Sequence, residues 1–142
     1  MPQQLPAMRK LTDRLSACAQ LSKDDIKALA DEGVKTLICN RPDFEEPEQP
    51  SSTSLQAYAE SLGLTWYYQP VISGQVEDAQ GDEFGEILNK ADTPVVAFCR
   101  SGARCGMLWA LSQRHQQAPE SLVDQLKSAG YDMPDFFTRL MK

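Results

Sequence analysis

Runs of apolar residues and stretches of helical spacing alternate along the chain. Three short runs rich in apolar residues are typical of buried strands: Val34–Cys39, Leu64–Gln69 and Pro94–Phe98. A weaker alternation at Arg14–Ala19 predicts an edge strand. Between and after these runs, apolar residues recur three and four positions apart, which is the spacing of one face of a helix. The pattern therefore predicts strands that alternate with helices.

Caps, prolines and glycines mark the boundaries of these predicted helices. Ser22 and Asp25 have the spacing of a capping box, and Gly33 ends the helix that they begin. The other helices are predicted to start at Ser51 or Ser52, at about Glu77, before Met107, at Pro119 and at Pro134. Each of the first three helices is followed by another strand, which is the connectivity of a parallel sheet.

We therefore expect an α/β fold with a mainly parallel central sheet flanked by helices on both faces. The length of 142 residues suits a single domain over residues 1–142, in which residues 1–10 are predicted to be loose. In parallel sheets, ligands bind at the carboxyl ends of the strands. The loops that begin at Asn40, Pro70 and Cys99 all leave such ends, so they are expected to share one cleft.

The composition of the chain limits the kinds of molecule that it is expected to bind. The net charge of −6 argues against a nucleic-acid backbone as a partner, because such binding depends on clustered Lys and Arg. No apolar run approaches the roughly 18–20 residues of a membrane span, and the first residues lack a signal-peptide core, so we expect a cytoplasmic protein without membrane contact. Four cysteines and one histidine show no zinc-site spacing, and neither a metal nor a cofactor is expected. The sequence does not indicate the oligomeric state.

The candidate chemistry lies in the loop between the third apolar run and the following helix. Cys99 stands there over the backbone N–H groups at the positive end of a helix, which stabilise an anion. The pKa of a free thiol, about 8.5, falls to roughly 3.5–7.5 in such a place. Cys99 is therefore the candidate nucleophile. Cys18 and Cys39 fall in predicted strands and are expected to pack in the core.

An anionic or phosphorylated small substrate fits this loop. The guanidinium of Arg104, assisted by Arg100, presents donors that match phosphate, sulfate or thiosulfate oxygens. The rest of the predicted binding loop consists of Ser101, Gly102, Ala103 and Cys105. Two features stay open: Arg41 either binds substrate or pairs with Asp43 or Glu45, and Cys105 either forms a reversible disulfide with Cys99 or is a small helix residue. The acidic loop over residues 43–48 is interpreted as a solvated face.

Three motifs carry a resemblance to a known family: Asn40-Arg41-Pro42-Asp43, Glu46-Pro47-x-Gln49-Pro50-Ser51 and Cys99-Arg100-Ser101-Gly102-x-Arg104. Over about residues 15–114 the chain resembles the cysteine-dependent tyrosine and dual-specificity phosphatases. More closely, it is similar to bacterial phosphatase-like domains that occur alone or fused to metallo-β-lactamase-like hydrolases, some of which are labelled sulfur transferases. The resemblance implies a dual-specificity-phosphatase-like fold.

The resemblance also implies a mechanism in which Cys99 attacks phosphorus, Arg104 holds the phosphoryl oxygens and a carboxylic acid protonates the leaving group. The sequence departs from the family signature at three places. Phe98 replaces a histidine, the loop is one residue short so that Cys105 stands where the arginine is expected, and Ser73 occupies the position of the acid. The remaining candidates for the proton donor are Glu77, Asp78 and Asp43.

Two other functions stay open. A short loop of this kind is frequent in rhodanese-like sulfurtransferases, in which a persulfide on Cys99 would carry the sulfur and no acid would be needed. The third alternative is a non-catalytic module that binds an anion or a phosphopeptide.

Overall fold

The computed structural model describes residues 5–142; residues 1–4, which belong to the predicted loose start, lie outside that part. The described residues form a five-stranded sheet in the order β1-β2-β5-β3-β4. Its strands are β1 (Arg9–Lys10), β2 (Leu15–Cys18), β3 (Thr36–Cys39), β4 (Thr65–Tyr68) and β5 (Val95–Phe98). Strands β2, β5, β3 and β4 are parallel, and β1 is antiparallel to β2, which confirms a mainly parallel α/β sheet.

Six helices of the described chain cover this sheet: α1 (Lys23–Asp31), α2 (Ser52–Ser61), α3 (Asp78–Lys90), α4 (Ala103–Ser112), α5 (Pro119–Ser128) and α6 (Pro134–Met141). The predicted capping box is present, because the Ser22 hydroxyl accepts the Asp25 N–H at 3.1 Å and the Asp25 carboxylate accepts the Ser22 N–H at 2.9 Å. Ser51 is the N-cap of α2. Local capping chemistry thus determines several helix starts.

Two predictions about the first residues are wrong. Strand β2 is not an edge strand, because it lies between β1 and β5. Residues 1–10 are not loose throughout, since Arg9 and Lys10 form β1, and the Arg9 guanidinium donates to the Gly130 carbonyl at 2.5 Å. Two polar residues show no alternation of apolar and polar positions, so the sequence does not mark this strand.

Side chains of the parallel strands alternate between two hydrophobic clusters, one on each face of the sheet. In β5, Val95 and Ala97 belong to the cluster that packs on α4, α5 and α6, while Val96 and Phe98 belong to the cluster beneath α1 and α2. Cys18 and Cys39 are buried in the second cluster, as predicted. Burial on both faces explains why these strands are apolar runs in the sequence.

The loops that follow β3, β4 and β5 leave the same edge of the sheet, because these three strands are parallel neighbours. Direct contacts show that these loops converge: Arg104, after β5, donates to Glu45, after β3, and to the carbonyl of Val71, after β4. Across residues 5–142, none of the helices has the length and apolar character that a membrane crossing requires.

Candidate active site

The loop between β5 and α4 has a backbone conformation that requires glycine at one position. Gly102 is the N-cap of α4 with a φ of +95°, in the left-handed region. A Cβ at this position would also lie 3.2 Å from the carbonyl oxygen of Cys18. Any other side chain would therefore be strained and crowded here, and the turn that returns the chain towards Cys99 depends on Gly102.

Tyr131, which follows α5, supports this loop from below. Its hydroxyl donates to the Gly102 carbonyl at 2.9 Å. Its ring lies so close to Gly106 that a Cβ there would approach it to 2.7 Å. The loop is thus held by a buried aromatic side chain from the C-terminal part of the chain. No local pattern indicates this contact, because it joins residues 29 positions apart.

The sulfur of Cys99 lies among hydrogen-bond donors. The Gly102 N–H donates to it at 3.1 Å. The thiol of Cys105 donates as well, and this bond lowers the pKa of Cys99 most. Smaller contributions come from the Cys105 N–H, the charge of Arg104 and the Gly102 N–H. Together these interactions outweigh burial and lower the pKa of Cys99 to about 5. Burial raises the pKa of Cys105 well above its ordinary value, so Cys105 remains the neutral donor of the pair.

The Cys99 side chain is completely covered, with an exposed fraction of 0%. A cavity of about 430 Å³ adjoins the loop, and its walls include Arg100, Ser101, Ala103 and Arg104 but not Cys99. The sulfur therefore lies among polar donors of the loop and is not part of the cavity wall. In this conformation it has no exposed surface for an ester to reach.

Arg104 is held in one orientation by carbonyl and carboxylate oxygens. Its Nη1 and Nη2 donate to the two oxygens of Glu45 at 2.7 and 2.9 Å, and Nη1 also donates to the Val71 carbonyl at 2.8 Å. These bonds occupy three of the five N–H groups of a guanidinium. The two that remain, on Nε and Nη2, lie along one edge, and a pair of this kind suits two oxygens of one oxyanion.

Glu45 joins the two buried arginines of the site. Besides Arg104, it accepts a hydrogen bond from Nε of Arg41 at 2.8 Å. The hydrogen bonds from Arg104 and then Arg41 outweigh burial and lower the pKa of Glu45 to about 2. Arg41 donates further to Glu46 and Gln20, and its side chain is only 3% exposed. Of the two alternatives for Arg41, the structure shows pairing with loop carboxylates, and the acidic loop is not merely a solvated face.

Arg100 differs sharply from Arg104. Its side chain is 69% exposed, and its Nε forms an ion pair with Glu46 at 3.0 Å. The amide N–H groups of Arg100 and Ser101 have no hydrogen-bond partner within residues 5–142. Ser101 and Ala103 line the cavity, whereas Cys105 is buried beneath the loop. The predicted loop residues therefore lie together, but Cys105 contacts Cys99 rather than the cavity.

The structure places none of the three predicted proton donors in this cavity. The Asp43 carboxylate accepts the N–H and the hydroxyl of Ser52 at 2.8 Å each, so it caps α2. Glu77 is the N-cap of α3, and Asp78 forms an ion pair with Arg139 at 2.7 Å. Acidic residues are common at helix starts, which made these three resemble site residues in the sequence.

Sequence reasoning missed two groups of residues near the loop. The sequence pattern paired Glu45 only with Arg41, whereas in the structure Glu45 also accepts a hydrogen bond from Arg104, which lies 59 residues further along the chain. Helix α6 contributes Asp135, Phe136 and Arg139 to the cavity, and no motif pointed to them. Within the part of the chain that the structure describes, no cluster of His, Cys, Asp and Glu could hold a metal ion.

Comparisons with known proteins identify the family of the chain. The sequence model of a family described as beta-lactamase hydrolase-like protein, phosphatase-like domain, matches residues 7–116. The chain is 34% identical to a beta-lactamase hydrolase-like protein of Xylella fastidiosa over 103 residues, which are 72% of this chain and 24% of the relative. It spans about a quarter of the length of the curated relatives that it matches.

Solved structures show the same architecture. The crystal structure of nma1982 from Neisseria meningitidis Z2491, named a "putative phosphatase", has a TM-score of 0.83 and 33% identity, and the match covers 92% of this chain and 94% of that one. The kinase associated phosphatase has a TM-score of 0.75 at 16% identity, with 98% and 94% covered, which shows the fold alone. The chain belongs to the phosphatase-like domain family of beta-lactamase hydrolase-like proteins.

Proposed function

We propose that the chain is a cysteine-dependent phosphatase that hydrolyses phosphate esters through a phosphocysteine on Cys99. The observation that carries this proposal is the hydrogen-bonded Cys99 sulfur, whose pKa is lowered to about 5, so that the group is a thiolate at neutral pH. A buried anion is costly unless charged and hydrogen-bonding partners compensate it, and a cysteine whose pKa is lowered in this way is typical of a functional site. Nucleophilic attack requires the thiolate form.

The residues around the sulfur have separate roles in the first step of the reaction. The Cys99 thiolate forms a bond to phosphorus while the bond from phosphorus to the ester oxygen breaks. The free Nε–H and Nη2–H of Arg104 hold two phosphoryl oxygens, and the unpaired N–H groups of Arg100 and Ser101 are available to them when the loop opens. Water then attacks the phosphocysteine, which releases phosphate and restores the thiolate.

Family membership supports phosphoryl chemistry, as does a structural relative at 33% identity that is named a "putative phosphatase". The substrate that we propose is a small phosphorylated or otherwise anionic compound. The cavity beside the loop, with a volume of about 430 Å³, has room for the leaving group of such a compound.

Sulfur transfer is the second candidate, and one observation favours it. The Cys105 thiol lies in hydrogen-bond contact with Cys99, and a neighbouring thiol is a natural acceptor for the outer sulfur of a persulfide. In this mechanism, the Cys99 thiolate attacks the outer sulfur of thiosulfate, a persulfide forms, and sulfite leaves as a stable anion. No proton donor is then needed. Non-catalytic binding is the third candidate, which the complete burial of Cys99 favours.

The three candidates separate in one set of assays on the purified chain. We expect hydrolysis of p-nitrophenyl phosphate, no thiocyanate from thiosulfate and cyanide, and loss of the hydrolysis in Cys99→Ser. Thiocyanate formation that disappears in Cys99→Ser would instead establish sulfur transfer. If neither activity is found while calorimetry shows binding of inorganic phosphate, the chain is a binding module and the phosphatase proposal fails.

A further inference from the structure

The cavity beside the Cys99 loop has walls of two kinds. Three guanidinium groups, those of Arg100, Arg104 and Arg139, share it. Apolar side chains of Val76, Met107 and Phe136 form much of the remaining wall. A phosphoryl group at the arginine side would therefore place the organic part of an ester against these apolar side chains.

Asp135, in the first turn of α6, is the one carboxylate among the described residues that line this cavity. Its side chain takes part in no ion pair and no hydrogen bond with another described residue. The carboxylates that were candidates from the sequence are different, because Asp43 is bound by Ser52 and Asp78 by Arg139. A proton donor needs a free carboxyl oxygen within reach of the leaving group, and Asp135 is the carboxylate in this cavity wall that has such an oxygen.

We propose that Asp135 is the general acid of the reaction and that the Val76, Met107 and Phe136 side of the cavity receives the leaving group. This inference rests on the proposed phosphatase function. It assigns a catalytic task to α6, which lies beyond residues 7–116, the part that matches the family model. The chain thus supplies from its C-terminal helix the carboxyl group that Ser73, which also lines the cavity, does not provide.

The proposed proton transfer is coupled to the first step. As the bond from Cys99 sulfur to phosphorus forms and the ester bond breaks, the carboxylic acid of Asp135 gives its proton to the ester oxygen. The leaving group departs as a neutral alcohol or phenol. The Asp135 carboxylate then accepts a proton from the water that attacks the phosphocysteine, so that the acid is restored and phosphate is released. No redox partner or cofactor takes part in this sequence.

The dependence on the leaving group tests this role. We expect Asp135→Asn to lower kcat/KM for phenyl phosphate by about 10²-fold, since general acid catalysis contributes roughly 10²–10⁴-fold. Its effect on p-nitrophenyl phosphate is expected to be at least tenfold smaller, because nitrophenolate is a much weaker base than phenolate and departs without a proton. A residue that only supports the structure would lower both rates by the same factor.

Asp132→Asn is the matched control, because Asp132 is an exposed aspartate three residues earlier that does not line the cavity. This variant is expected to keep both rates within about twofold. The thermal midpoint of each variant, measured by circular dichroism, reports whether folding is retained.

Three different results would overturn the inference. If the wild-type chain hydrolyses both esters and Asp135→Asn keeps the wild-type ratio of the two rates, Asp135 is not the acid, while the phosphatase function stands. A selective loss on phenyl phosphate in Asp78→Asn or Asp43→Asn, but not in Asp135→Asn, would identify the acid elsewhere. A wild-type chain that hydrolyses neither ester overturns the proposed function and the role of Asp135 together.

Discussion

The ends of two neighbouring strands carry buried cysteines with opposite chemistry. Cys39 ends β3, and Cys99 follows β5, the adjacent strand of the sheet. Burial raises the pKa of Cys39 to about 12, and the Cys39 thiol lies 3.5 Å from the carbonyl of Arg41. Cys99 is buried at least as deeply, yet its pKa is lowered to about 5.

The difference lies in the segment after each strand. After β3 the chain enters the acidic loop, where the Cys39 thiol donates to the Arg41 carbonyl and the Arg41 backbone offsets the effect of burial only in part. After β5 the chain turns at Gly102 into a helix, which directs N–H groups and a thiol at Cys99. Burial alone therefore makes a thiol inert, and donors arranged around it reverse that effect.

Oxidation should reveal the largest difference in reactivity between Cys99 and Cys39. We expect mild hydrogen peroxide to abolish activity by joining Cys99 to Cys105, with dithiothreitol restoring it. One peroxide accepts two electrons from the two thiols, which form a disulfide, and two waters leave. Mass spectrometry should find the Cys99–Cys105 peptide and unmodified Cys39. A Cys99 sulfinic acid without this disulfide would count against the pairing.

Removal of the Arg104 guanidinium is expected to have the next largest effect. We expect Arg104→Ala to weaken phosphate binding roughly 10- to 100-fold, because a hydrogen bond to a charged group contributes about 1.5–3 kcal/mol. Arg100→Ala, at an exposed ion pair, should change it by less than about threefold. Calorimetry with inorganic phosphate measures both, with Arg104→Lys as a control that keeps the charge but not the fork. Equal losses in the two alanine variants would refute the distinction.

Substitution of Cys105 tests how much its thiol contributes to the lowered pKa of Cys99. We expect Cys105→Ala to raise the pKa of Cys99 by about one unit or more, which corresponds to about 1.4 kcal/mol or more. Cys105→Ser keeps a hydroxyl donor and should leave the pKa close to the wild-type value. The pH dependence of iodoacetamide alkylation at Cys99, followed by mass spectrometry, gives both values. No shift in Cys105→Ala would show that the backbone donors suffice.

The smallest expected effect concerns Glu45, which orients Arg104. Its pKa falls from an ordinary 4.5 to about 2 on folding, so its contribution to stability is complete above about pH 4.5 and is lost as the pH falls towards 2. Glu45→Gln should therefore flatten the pH dependence of the free energy of unfolding in this window, and Glu48→Gln, a change at an exposed glutamate of the same loop, is the matched control. Urea unfolding between pH 2 and pH 5, a range of about three units, measures this slope. Parallel slopes in wild type and Glu45→Gln would contradict the assigned pKa.

The sequence predicts those parts of the site that depend on neighbouring residues. Val95–Phe98, Gly102 and the first turn of α4 lie within one stretch, so their strand, turn and helix pattern indicated an activated Cys99 directly. Apolar strands and serine caps likewise predicted the fold, because both faces of the sheet are buried and each cap acts on its own helix.

Contacts between residues that lie far apart in the sequence could not be predicted from such local patterns. The pairing of Glu45 with Arg104 depends on how the loop after β3 crosses the end of β5, and the position of Asp135 depends on how α6 packs. A carboxylate that caps a helix, such as Asp43, and one that faces a cavity, such as Asp135, look alike in a sequence. Only the packing distinguishes them.

The pKa of the Cys99 thiol is the quantity on which the account depends most directly. The ultraviolet absorbance of the thiolate, measured against pH and corrected with the Cys99→Ser chain, gives its midpoint. The hydrogen-bonded environment of the sulfur predicts a midpoint at about 5. A midpoint at or above about 8.5, the pKa of a free thiol, would show that Cys99 is an inert buried thiol like Cys39, and would contradict the account.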